Sequence, residues 1–74
     1  MVKVFITDVQ SIRKADSIIK SLLLKFPGFS VNFDLEDDDR ILRVEGPFFK
    51  AEDICEILKE YGSTCVDLPI DLSS

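Results

Sequence analysis

The sequence predicts an α+β domain with the element order β-α-β-β-α-β, and three observations carry that expectation. Four short runs alternate with period two, two longer runs space their apolar residues by three and four, and turn-forming residues punctuate the joints. At 74 residues the chain is expected to be one domain, residues 1–74, with a modest core and a net stability of roughly 3–5 kcal/mol.

Val2 to Thr7 alternates and reads as a strand, with Val2, Val4 and Ile6 facing the core and Lys3, Phe5 and Thr7 on the other face. Asp8 or Ser11 is placed to cap the following helix, where a short side-chain oxygen accepts from an otherwise unpaired amide. That helix is expected over residues 11–25. Its apolar stripe is Ile12, Ala15, Ile19, Leu22 and Phe26, widened by Ile18 and Leu23. Pro27 disfavours helical geometry at Phe26, and Gly28 supplies permissive backbone beyond it.

Residues 30–36 alternate again, with Val31, Phe33 and Leu35 inward and Asn32, Asp34 and Glu36 outward. A polar turn then leads into a partner strand over 41–45, which makes an antiparallel hairpin ended by Gly46 and Pro47. Phe49 and Ile54 have the spacing of a hydrophobic staple around Lys50 in the cap slot, and Glu52 and Asp53 suit the positive end of a helix dipole. The second helix, over 51–61, buries Ala51, Ile54, Leu58 and Tyr61 with Ile57 beside them, and Gly62 ends it. Thr64, Val66 and Leu68 form the inward set of a last strand over 64–68, and residues 69–74 are expected as a flexible tail. With right-handed crossovers the simplest closed arrangement of this order is the ferredoxin-like sandwich, a four-stranded antiparallel sheet with both helices on one face.

Composition excludes several classes of function. A net charge of −5 argues against nucleic acid or an anionic membrane as partner, since both demand a cationic surface. No apolar run approaches the roughly 18 residues of a membrane span. The chain enters a strand at once from Met1, without the apolar core and cleavage site of a signal peptide, so a cytoplasmic location is expected. Cys55 and Cys65 are too few for a secreted disulfide scaffold and are expected as reduced thiols. There is no histidine, neither cysteine has a base to activate it, and Ser11 has no partner that makes a nucleophile. Asp8 and Asp16 are accounted for by capping and helix-surface charge. The chain is therefore expected not to be an enzyme, with no catalytic residues and no cofactor.

The length, the element order, Phe26-Pro27-Gly28 after the first helix and Ala51-Glu52-Asp53-Ile54 opening the second resemble the heavy-metal-associated domain, from Val2 to about Asp67. That family includes small copper chaperones and the N-terminal modules of metal-pumping ATPases. Its signature is Met-x-Cys-x-x-Cys at the first strand–helix junction, where two thiolates bind one soft ion. Counted back from Phe26-Pro27-Gly28, the cysteine positions fall on Ile12 and Ala15 and the methionine position on Gln10. None of the three supplies a thiolate, so no metal site is expected there, and Ile12 and Ala15 instead have the spacing of a core stripe.

Cys55 lies at the edge of the second helix's stripe and Cys65 on the outward parity of the last strand, so their directions are expected to diverge, against a shared ion or a disulfide. The acidic turn of Asp34 and residues 36–39 lacks the central glycine and terminal glutamate of a calcium loop and reads as solvated. The RNA-recognition motif shares the element order but needs aromatic side chains on two central strands, and opposite Phe5 the partner strand offers Ile41, Arg43 and Glu45.

Two readings of different class follow. The first is a non-catalytic protein-interaction module, possible self-association included, with the family's scaffold but not its metal pair. The second is a copper- or zinc-handling protein using other ligands, Cys55 or Cys65 among them. For the first, the expected contact face is the open side of the sheet. There Lys3, Phe5, Asn32, Asp34, Ile41, Arg43, Cys65 and Asp67 point outward, Phe5 and Ile41 form an apolar spot beside Arg43, and Phe48 is a second exposed candidate on another edge.

Overall fold

The computed structural model describes residues 1–36 and 38–68; the expected tail at 69–74 lies outside them. The elements are β1 (Val2–Thr7), α1 (Ile12–Lys25), β2 (Ser30–Asp34), β3 (Ile41–Glu45), α2 (Ala51–Glu60) and β4 (Cys65–Leu68). The strands form one antiparallel sheet in the order β2-β3-β1-β4, so β1 is central, and β2 and β4 are the edges.

Local chemistry explains where the helices start and stop. Ser11 is the N-cap of α1, its hydroxyl accepting from the Lys14 amide at 3.4 Å, while Asp8 is used elsewhere. Lys50 precedes α2 without a side-chain cap, and the start is held instead by the buried pair Phe49 and Ile54 across it. α2 ends in a Schellman closure: the Ser63 amide donates to the Leu58 carbonyl at 3.0 Å and the Gly62 amide to the Lys59 carbonyl at 2.9 Å. That closure needs a left-handed residue, and Gly62 supplies it at φ +71°. Gly46 serves a different need. The Phe29 ring lies so close that a Cβ at Gly46 would meet it at 2.6 Å. Phe29 in turn stacks with Phe26 and Phe49 at centroid separations of 5.0 and 5.4 Å, which closes the end of the core under the C-terminus of α1.

One cluster makes the core. Phe5, Leu42 and Val44 from the sheet pack with Ala15, Ile18 and Leu22 of α1 and Ile54, Ile57 and Leu58 of α2. Leu42, Val44, Val31 and Phe33 face as expected, but β1 is turned over: Phe5 is fully buried and Thr7 nearly so, while Val2, Val4 and Ile6 lie on the open face. Volume and polar satisfaction explain this. Phe5 is the largest apolar side chain in the strand. The Thr7 hydroxyl is accommodated inside because it donates to the Arg40 carbonyl at 2.7 Å and accepts from the Val9 amide at 3.3 Å. β4 follows β1, since Thr7 pairs with Cys65 and Ile6 with Val66. Cys65 therefore faces the helices, and Val66, expected inward, is 56% exposed. In α1, Ile12 falls off the buried stripe and is 79% exposed.

Burial of Phe5 predicts that Phe5→Ala costs about 3–5 kcal/mol, the whole of the roughly 3–5 kcal/mol available to so small a domain. The variant should lose its cooperative thermal transition in circular dichroism. Val66→Ala should keep it, with a cost under about 1 kcal/mol. The opposite ranking would show that β1 and β4 present their other faces to the core.

Candidate functional site

The pairing register builds two surfaces that could carry function, one on each side of the sheet. On the open side the strands align in rows. Asp34, Ile41, Ile6 and Val66 are neighbours across all four strands, and Asn32, Arg43, Val4 and Leu68 form the next row. The half of this face over β1 and β4 is aliphatic, and the half over β2 is polar. An apolar spot does exist, but Ile6 makes it with Ile41 and Val66. Phe5 is withdrawn from the surface, because it pairs with Leu42 and points into the core. Arg43 is exposed in the row beside Ile41, as expected. Phe48 is 82% exposed but follows the far end of β3 from Ile41, so the two do not belong to one patch. Lys3 and Asp67 leave the open face as well and form an ion pair at 3.5 Å on the helix side.

On the helix side the structure brings together what the sequence reading held apart. Cys55, on α2, and Cys65, opening β4, line one cleft of about 610 Å3. The Cys55 thiol donates to the Cys65 carbonyl at 3.6 Å, which ties the helix side of the cleft to the start of β4. The expected divergence of the two thiols is thus corrected, and its cause is the reversed parity of β4. Both cysteines are free thiols. Burial raises the pKa of the Cys65 thiol, and the contact with Cys55 and the nearby Asp67 carboxylate raise it further. Glu52, Cys55, Glu56 and Lys59 form one face of α2 at helical spacing along the cleft, with Ser63 in the opposite wall. The Ser63 side chain is 5% exposed, and its hydroxyl is buried without a hydrogen-bond partner. Only the parity of the last strand, settled through its pairing with β1, would have shown this pair in the sequence.

The positions matching the family's metal pair are also placed. Ile12 is exposed and Ala15 buried, and both line a shallow cleft between α1 and β2 with Phe33 and Leu35. Asp16, Asn32 and Glu36 share the lining with these apolar side chains, and no thiol lies there. Asp8 at the same junction is occupied structurally, its carboxylate accepting from the Thr64 amide at 3.0 Å and so holding the start of β4. Among the described residues no cluster of three or more histidine, cysteine, aspartate or glutamate side chains is arranged to hold a metal ion, and no helix is long and apolar enough to cross a membrane. Comparison of the chain with family models, with curated proteins and with solved structures gives no match.

The raised Cys65 pKa has a definite sign for stability. Above the ordinary thiol value of 9.0 the unfolded chain ionises at this position while the folded one does not. The contribution is therefore intact below pH 9.0 and is lost as pH rises beyond it. Denaturant unfolding of wild type and Cys65→Ser at intervals from pH 7 to about 10.5 should show the wild type falling more steeply above about pH 9. Parallel curves would mean that the thiol is not shielded.

Proposed function

We propose that the chain is a small, non-catalytic protein-interaction domain of the ferredoxin-like type, akin in scaffold to the heavy-metal-associated domains but without their metal pair, and that its partner docks on the open face of the sheet. The observation that carries this reading is the row of Ile41, Ile6 and Val66 beside Arg43. Aliphatic side chains from three strands meet there, with a guanidinium in the next row, and both helices pack on the other face. An apolar centre that includes an arginine, inside a polar rim, is the composition protein contacts favour. Exposed Asp34 pairs with Ile41 at the edge of the spot, and the chain carries a net charge of −5, so the complementary partner is a protein with an apolar patch and a basic rim. A second copy fits less well, because two chains of the same net charge repel at low salt.

The test is Ile41→Ser combined with Val66→Ser, compared with wild type after circular dichroism shows an unchanged fold. Basic proteins retained from extract by immobilised wild type should bind the double variant more weakly, by about 2 kcal/mol if both residues sit at the centre of the contact. Retention should also weaken as salt rises. Equal retention by a folded double variant removes the open face from consideration. Sedimentation showing a dimer that the same two changes abolish would assign the face to a second copy.

A further inference from the structure

We propose that Cys55 and Cys65 form a two-thiolate binding site for a soft monovalent cation, Cu(I) or its chemical equivalent Ag(I), in the cleft between α2 and β4. The two cysteines come from different elements and line the same cleft, and the Cys55 sulfur lies 3.6 Å from the Cys65 carbonyl oxygen, so the fold brings both donors to one place before any ion arrives. Thiolates select soft ions over hard ones. The donor count then narrows the choice. Zinc needs four ligands in a tetrahedron, and among the described residues no group of three or more candidate side chains converges here or elsewhere. A d10 monovalent ion that is satisfied by two sulfurs is what the arrangement can hold.

The surroundings supply what such a site needs besides sulfur. Glu52 and Glu56, one turn apart on the cleft's helix wall, give the approach a negative potential for a cation. Ser63 provides an independent observation in the opposite wall. Its buried hydroxyl has no partner in the empty protein and so has a proton free to donate to a thiolate. Binding is balanced as two thiols plus one monovalent cation giving one anionic bis-thiolate complex and two released protons. Lys59 on the same helix face offsets the single negative charge that results.

The experiment uses the whole chain, reduced and anaerobic, with a thiol count confirming two free sulfhydryls before Cu(I) is delivered in competition with a chromogenic chelator. The expected result is one ion per chain, release of two protons per ion, and amide perturbations confined to residues 52–66. Cys55→Ser and Cys65→Ser should each weaken binding by more than about 100-fold, beyond the 10–100-fold typical of a supporting contact. Ser63→Ala should weaken it by about tenfold, as expected of a residue that acts through the thiolate. The wild-type stoichiometry and the map of perturbed amides do not depend on any variant folding. No binding by the reduced wild type, binding that survives the double Cys55→Ser, Cys65→Ser change, or perturbations centred on residues 8–16 would each overturn the site. So would rapid closure of a Cys55–Cys65 disulfide by added peroxide in a protein that takes up no cation when reduced.

Discussion

The central position of β1 is the constraint on which the rest of the structure depends. Because β1 is hydrogen-bonded to β3 on one side and β4 on the other, the face to which its residues point fixes the faces of both neighbours, and through β3 that of β2. Phe5 inward means Leu42 and Val44 inward, and it equally means Cys65 toward the helices and Val66 toward solvent. A slip of one residue would exchange the whole set. The core, the aliphatic row on the open face and the thiol pair are therefore three consequences of one choice of parity.

The edge strand β4 shows how few contacts hold that choice in place at the margin. It has only four residues and pairs along one side alone. The Schellman closure after α2 delivers the chain to it, and the Asp8 carboxylate fixes its entry through the Thr64 amide. The Lys3–Asp67 ion pair is partly exposed and adds little. The Cys55 contact to the Cys65 carbonyl adds to these, beside the ladder with β1. In a domain with only a few kcal/mol of stability, such an edge is where local opening is cheapest.

Most of the fold was legible in the sequence, because element existence depends on periodicity and punctuation, and both are strong here. Ser11, Gly46, the Phe49–Ile54 staple and Gly62 sit at the joints where they were expected to act. Parity in β1 was not legible, for a physical reason. A central strand packed on one face and partly shielded by neighbours on the other tolerates apolar residues on both, so Val2, Val4 and Ile6 outvote Phe5 by count while Phe5 prevails by volume. Thr7 added to the ambiguity, since a hydroxyl reads as outward until the Arg40 carbonyl that receives it is known. The error then passed intact to β4, and it hid both the true apolar spot and the meeting of the two cysteines. Ile12 failed differently. It sits at the first position of α1, where the helix has only begun to approach the sheet, so a residue in phase with the stripe can remain outside it.

The two candidate surfaces belong to opposite sides of the sheet, yet they meet in adjacent residues. Cys65 contributes to the cleft under α2 and Val66 to the apolar row on the open face. In a four-residue edge strand these two side chains cannot be oriented independently, because the backbone twist that aims one also aims the other. A ligand that ties Cys65 to α2 would restrict the strand that presents Val66. A partner seated on Val66 would likewise steady the backbone that presents Cys65. Any such linkage is limited by the difference in affinity each ligand shows for the paired and the frayed strand, and it must be the same in both directions. On the two proposals made above, soft-ion binding and partner contact would be joined through β4, the one strand that both would use.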